Sequence, residues 1–281
     1  MAGKETPLPI IPPDREDDLH HLEFVDSADL VLFVAGNQFM VMDELVTAFQ
    51  KEHPEIKKIY YETLPPGLEL KQILAGGAVF RDRVLRVVPD VYASVSVKAM
   101  EQLESAGLIG TGKYRLYLHN RIVLMVPEGN PAGIRSVMDL RCDEIRISQP
   151  SPEYEDIAFH IMDMYRQAGG EELVHRIMEE KRAEGTTILT RVHHRETPLR
   201  MTKRTVDVGP VWATEIDHAR RIRLPVDVVE PGEKMDQRDR INYYICRLKH
   251  APHPEQGEAF LDFITSPHAQ QIYASYGFVP R

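Results

Sequence analysis

The sequence predicts an α/β fold in two lobes, each a mainly parallel sheet flanked by helices. Three observations predict it. Strand signals alternate with helix signals along most of the chain, the pattern of parallel sheets covered by helices. An unusually long strand signal at 114–126, with a polar break at His119, Asn120 and Arg121, can run from one lobe into another. Later strand signals then return the chain, so two strands cross between the lobes. The expected division is an N-terminal arm over residues 1–27, a first lobe over 28–118 plus 240–281, and a second lobe over 119–239, with a ligand cleft between the lobes.

Each element follows from local pattern. The arm is rich in proline and charge, which disfavours a packed core. "DLVLFVAG" is a continuous apolar run and reads as a buried parallel strand. The stretch after Asn37 reads as a helix, because Met42, Leu45, Val46 and Phe49 fall on one face. "KIYYET" is the next strand and "LPPG" a turn, followed by a helix that stops at Gly76 and Gly77. "PDVYASVS" and "VKAMEQLESAGLI" repeat the strand and helix. Beyond the long strand come a short helix at "SVMDLR", a strand at "EIRISQP", and two helices separated by Gly169 and Gly170. "TTILTRV" is a strand, and "TPLRMTKRT" a short helix with Pro198 near its first turn. "VDVGPVWATE" is a strand. "VDVVEP" and "INYYICRLK" are strands placed to return to the first lobe, and two helices close the chain.

Composition narrows the function. With 281 residues, 43% hydrophobic and 27% charged, the chain can bury a core in each of two lobes. The net charge of −9 argues against nucleic acid, and any anion must be caught by local donors against the overall field. No apolar run approaches the ~20 residues of a membrane span. The N-terminus has no apolar segment of the signal-peptide kind, which leaves open a cytoplasmic protein or a secreted one with a new start. Cys142 and Cys246 lack any zinc-type spacing and read as buried thiols, a disulfide being open only if the fold brings them together.

Catalytic motifs are absent. The sequence has no nucleophile elbow, zinc-protease helix, phosphate loop or dinucleotide fingerprint, so no enzyme and no cofactor are expected. The polar loops at strand ends are more informative, because ligands in open α/β sheets bind at the carboxyl ends of strands. Asn37 stands after the first strand as helix cap or ligand donor. "TLPPG", with Thr63 and Gly67, follows the second strand, and "SQPSPEYE" follows a later one. His193, His194 and Arg195 precede a helix start, where free N–H groups and cationic side chains can hold an anion; a solvated loop is the alternative. Adjacent histidines point apart and have no acidic or cysteine partner at useful spacing, so no metal ligand is assigned.

Several stretches then point to a known family. "LVLFVAGNQF…ELVTAFQKEHP", "GLELKQILAGG", "PDVYASVS", "NRIVLMVPEGNP…SVMDLR", "VDVGPVWATE" and "EAFLDFITSPHAQQIYASYGFVPR" occur in order over residues 30–281. In these the chain resembles the extracytoplasmic solute-binding proteins of ABC transporters, of the type II periplasmic fold, nearest the molybdate- and tungstate-binding branch. The resemblance implies two α/β lobes that close on a small anionic ligand, an ABC permease as partner, a monomer, and a periplasmic or extracellular location.

It also implies site positions. The family's first donor, usually serine, falls on Asn37. The second falls near Pro66 and Gly67, where backbone N–H groups or Thr63 serve. The third falls in the loop from Ser151 through Tyr154 to Glu155, and the fourth near His194. The fifth, a tyrosine hydroxyl in the family, falls on Trp212, in the strand that also carries Asp207 and Gly209. Serine has become asparagine, a hydroxyl turn has become prolines, and tyrosine has become tryptophan. Glu153 and Glu155 add negative charge near the expected anion. A different ligand on the same fold, an organic acid, phosphonate or metal ion, is therefore the alternative.

Overall fold

Strand Leu30–Phe33 is buried along its whole length because it pairs on both edges and is covered on both faces. It runs parallel to Ile59–Glu62 on one side, with Leu30 opposite Ile59, and parallel to Val91–Ser94 on the other, with Leu32 opposite Val91. The structure is a computed structural model and describes residues 7–153, 155–191 and 196–281. The chain divides into two compact units. The first holds the described residues through Leu118 with Asn242–Ser275 and Pro280–Arg281; the second holds His119–Ile241 and Tyr276–Val279.

In the first unit the neighbouring strands follow the order Arg115–His119, Asn242–Arg247, Val91–Ser94, Leu30–Phe33, Ile59–Glu62, Leu19–His20. The inner pairs are parallel, and Asn242–Arg247 and Leu19–His20 join antiparallel. Helix Phe39–Glu52 buries Met42, Leu45, Val46 and Phe49 as their spacing requires, together with Val41 and Ala48. Helices Pro66–Ala75, Val97–Ser105, Pro254–Ile264 and Pro267–Ser275 also belong to this unit. One apolar cluster, including Val31, Phe33, Tyr60, Leu64, Tyr92, Met100 and Leu103, fills the space between sheet and helices.

The expected N-terminal arm is corrected over its described part. Ile10 and Ile11 pair in parallel with Val79 and Phe80, and Leu19 and His20 pair with Glu62 and Tyr61. Ile11 and Leu19 are core residues, so this segment is a working edge of the first unit. Two apolar residues set among prolines and charges are too sparse to register as a periodic signal.

The second unit has a three-stranded antiparallel sheet, with Ile122–Pro127 between Gly209–Trp212 and Val226–Val229. Its parallel pairing is Ile147–Gln149 with Thr187–Leu189, extended by a parallel bridge from Ile147 to Val208. Three expectations change here. The long strand signal is two strands, Arg115–His119 and Ile122–Pro127, separated at Asn120, whose side chain accepts from the Arg121 N–H. Val226–Val229 stays in the second unit, against Ile122–Pro127, rather than returning to the first. Helix Ala213–Arg221, which opens directly after Trp212, was hidden in a segment read as strand. Its buried apolar positions, Ala213, Ile216 and Ala219, are few and mostly small.

Helix Ile157–His175 bends at Gly169 and Gly170 and then continues into Arg176–Glu180, instead of stopping. Among the described residues no helix is long and apolar enough to cross a membrane. Cys142 and Cys246 are free thiols.

Candidate functional site

In the first unit the site begins where strand Leu30–Phe33 ends. A single 3-10 turn, Gly36–Gln38, leads into helix Phe39–Glu52. A β-carbon on Gly36 would stand 2.7 Å from the Thr63 carbonyl oxygen and 3.1 Å from that of Leu64. Only glycine lets the backbones of these two strand-end loops approach so closely. The turn bearing Asn37 and the loop bearing Thr63 and Gly67 are thereby held side by side.

Asn37 is buried, and its amide NH2 donates to the Tyr243 hydroxyl. The other end of the same amide, Oδ1, has no hydrogen-bond partner. Next to it Gln38 is fully buried. Its Oε1 accepts from the hydroxyls of Tyr117 at 3.0 Å and Tyr273 at 2.7 Å, while its Nε2 is unpartnered. Gln38 was not among the expected site residues, although adjacency to Asn37 is a usable signal.

Thr63 is buried and its hydroxyl lies 3.0 Å from His20 Nε2. The His20 ring stacks on Tyr61, with ring centroids 4.2 Å apart. Gly67 lies in the first turn of helix Pro66–Ala75 and is exposed, with nothing within 4 Å of where a β-carbon would be.

Beneath this loop sit two buried carboxyls. Glu62 accepts from the Tyr60 hydroxyl and from Gln72 Nε2, both at 2.7 Å, and Glu69 accepts from the Leu64 N–H at 3.2 Å. Burial pushes Glu62 up to about 7 in spite of its two donors. Glu69 is raised well above the usual carboxyl range by burial and by the negative charge of Glu62.

In the second unit Ser151 is buried. Its N–H donates to Thr190 Oγ1 at 3.0 Å, and its hydroxyl oxygen accepts from the Glu153 N–H at 3.3 Å. The Thr190 hydroxyl, just past strand Thr187–Leu189, donates in turn to Glu155, so that carboxylate is engaged by a neighbouring strand end. Gln149 ends strand Ile147–Gln149 fully buried, accepting from the Tyr165 hydroxyl at 2.7 Å. Gln149 and Thr190 were not anticipated; the strand-end rule that selected Asn37 selects Gln149 equally well.

Trp212 closes strand Gly209–Trp212, pairs with Ile122, and is only 4% exposed. Its ring lies 6.1 Å from that of His160 on helix Ile157–His175. Asp207 is structural: it grips the Arg146 guanidinium through two contacts of 2.7 and 2.9 Å and accepts from the Arg146 N–H at 2.8 Å. Tyr154, His193, His194 and Arg195 lie outside the described residues. Among the described residues no cluster of three or more histidine, cysteine, aspartate or glutamate side chains could hold a metal ion.

The family described as bacterial extracellular solute-binding protein matches residues 30–279. No curated protein matches the chain. Among solved structures it is similar to the periplasmic molybdate-binding protein of Azotobacter vinelandii, at 17% identity and a TM-score of 0.69 over 90% of this chain and 99% of that one. The sulfate-binding protein SubI of Mycobacterium tuberculosis H37Rv gives 17% identity and a TM-score of 0.70 over 89% and 86% of the two chains. Iron-bound HitA of Pseudomonas aeruginosa gives 17% identity and 0.68 over 89% and 85%. These likenesses agree on the fold while their ligands differ, and the family match spans nearly the whole sequence. The chain belongs to the bacterial extracellular solute-binding proteins and is a binding protein rather than an enzyme.

Proposed function

We propose that this protein captures a small tetrahedral oxyanion, molybdate or tungstate first, and presents it to an ABC permease on the outer side of the membrane. One observation carries the reading. The buried polar residues Asn37, Thr63 and Ser151 stand at strand ends, where the family pattern places its anion donors, and Asn37 keeps one end of its amide unpartnered. Leaving that end unpaired costs about 1–3 kcal/mol, an arrangement that persists when a ligand completes it. The recognition groups of the first unit are Asn37, Thr63 and the Gly67 N–H; those of the second are Ser151, Trp212, and Tyr154 with His193, His194 and Arg195. Apart from Arg195, these are groups that can hold a dianion through hydrogen bonds without a counter-charge of their own.

Isothermal calorimetry with molybdate, tungstate, sulfate and phosphate tests the reading. Micromolar or tighter binding of at least one supports it, and silence from all four sinks it. Trp212→Phe keeps an aromatic ring and removes the N–H donor. Unchanged affinity in that variant would show that the indole fills space only.

A second reading rests on the size of Trp212. An indole where the family carries a phenol offers a larger flat surface, suited to stacking on an organic acid or phosphonate. Quenching or enhancement of the single tryptophan's fluorescence by such acids, with no response to inorganic oxyanions, would favour this reading over the first.

A further inference from the structure

We propose that Glu69 is a positioning residue for ligand capture: from behind the loop at 63–65 it grips the Leu64 N–H and so fixes the backbone that carries Thr63 and the Gly67 N–H. The inference rests on the oxyanion reading above and names what holds its first-unit donors in place.

The local sequence is TLPPGLE, residues 63–69. A glutamate in the first turn of a helix commonly reaches back to the backbone N–H of the cap residue. Here the cap is Pro65 and the first helical residue is Pro66, and neither has an N–H to offer. The nearest donor upstream is Leu64, and Glu69 accepts from it at 3.2 Å. The other donors of the stretch are also placed. The Thr63 N–H goes to the Asp18 carbonyl at 2.9 Å, and the Leu68 and Glu69 N–H groups go to the Pro65 carbonyl at 2.8 and 3.2 Å. Between positions 63 and 69 only the Gly67 N–H has no acceptor among the described residues, and Gly67 is exposed.

Two peptide groups set the direction of that N–H. The peptide joining Thr63 to Leu64 meets Glu69 through its N–H, and its oxygen stands 2.7 Å from where a β-carbon on Gly36 would be. It is therefore held from both ends, and the Asn37 turn is held with it. The peptide joining Pro66 to Gly67 accepts from the buried Tyr92 hydroxyl at 2.9 Å through its oxygen. A trans peptide points its N–H opposite to its C=O, so the Gly67 N–H points away from Tyr92.

Glu69 can do this without opposing an anion. It is fully buried, and its Oε2 has no hydrogen-bond partner. The charged groups acting on it are carboxyls, Glu62 on strand Ile59–Glu62 and Asp18, the latter paired with Arg15 at 3.2 Å. Burial and the charge of Glu62 keep Glu69 protonated. A neutral acid still accepts from an N–H through its carbonyl oxygen, and it adds no negative charge beneath the loop.

The test compares Glu69→Gln with Glu69→Leu by calorimetry with molybdate and with sulfate, and by amide hydrogen exchange at Leu64 in the ligand-free protein. Glutamine keeps a neutral acceptor for the Leu64 N–H; leucine keeps similar bulk and removes the acceptor. Glu69→Gln is expected to bind within about threefold of wild type and to keep Leu64 protected. Glu69→Leu is expected to bind roughly five- to tenfold more weakly, as for one lost hydrogen bond, with Leu64 exchanging about tenfold faster or more. A Glu69→Leu protein that binds as tightly as wild type overturns the inference. So does weaker binding with unchanged Leu64 exchange, because the loss then comes from elsewhere in the fold. A Glu69→Gln protein as weak as Glu69→Leu overturns it too.

Wild type supplies a measurement that needs no variant to fold. Leu64 should exchange slowly with or without molybdate, whereas Gly67 should exchange freely and become protected when molybdate is added. Leu64 exchanging as fast as Gly67 in the ligand-free protein overturns the inference. Silence of wild type toward both oxyanions removes the capture role together with the reading it rests on. Wild-type binding with an unaffected Glu69→Leu removes the positioning role alone.

Discussion

The His160 imidazole lies 6.1 Å from the Trp212 indole, with the ring planes inclined at 57°. Burial holds His160 below the ordinary histidine value; Asp163 and Asp156 oppose that shift and Arg240 adds to it. A protonated imidazole quenches a neighbouring indole more strongly than a neutral one, and this chain has a single tryptophan. Emission at 350 nm should therefore drop on acidification with a midpoint below ~6.5. His160→Gln should abolish the step, and a midpoint at or above the ordinary value would contradict the assigned environment.

The same shift has a sign in stability. The unfolded chain takes up a proton at His160 before the folded one does. The contribution of neutral His160 is complete above the unfolded value and is lost as pH falls toward the lowered folded value. Urea titrations should show wild type losing stability across that interval more steeply than His160→Gln.

Glu62 and Glu69 act in the opposite sense. Both are raised, so the folded protein holds protons on them that the unfolded chain has released. Their contribution is complete below the unfolded value near ~4.3 and is lost as pH rises toward 7 and beyond. Glu62→Gln keeps an amide in place of the carboxyl and cannot ionise. Its melting temperature is expected to exceed that of wild type at pH 8 and to fall less between pH 5 and pH 8. A wild-type curve that rises over that range, and rises no less in the variant, would refute the assignment.

Gly36→Ala forces a β-carbon to within 2.7 Å of a backbone oxygen that has no freedom to swing away. The expected cost is about 1–3 kcal/mol of stability by urea unfolding, with weaker oxyanion binding because Asn37 moves with the turn. A variant as stable as wild type, with unchanged affinity, would mean that the two loops are not coupled in this way.

Asp207→Ala removes the paired contacts to the Arg146 guanidinium and the acceptor for its N–H. Burial pushes the Asp207 carboxyl up, but the Arg146 hydrogen bonds outweigh it and the net shift is downward. The pair therefore supports folding above the unfolded aspartate value and loses that support as pH falls through the lowered one. The variant should lose about 1–2 kcal/mol at pH 7, read by urea unfolding, and the difference from wild type should shrink as pH falls through the lowered aspartate value. Oxyanion affinity should stay within about twofold, since Asp207 serves the packing of the second unit.

Much of the fold was legible because its strongest signals are local. Leu30–Phe33 and Ile122–Pro127 are continuous apolar runs, and helix Phe39–Glu52 writes its buried face at helical spacing. What was misread had weak local signals or depended on partners elsewhere in the sequence. Ile10 and Ile11 become a strand only through Val79 and Phe80. Val226–Val229 has the pattern of an edge strand, and nothing within it names Ile122–Pro127 as the strand it joins. Helix Ala213–Arg221 presents few large apolar residues, so its amphipathic stripe is faint.

By itself the sequence determined the α/β class, the order of most elements, membership in a binding-protein family and the selection of Asn37 and Trp212 as positions to watch. Periodicity and strand-end loops are properties of neighbouring residues, and neighbours are what a sequence lists. Only the tertiary structure decided that Asn37 meets Tyr243, 206 positions away, that Gly36 presses on the Thr63 carbonyl, and that one end of the Asn37 amide is left without a partner. Those facts depend on which side chains converge once the sheets form, and on which of their hydrogen bonds the protein completes for itself.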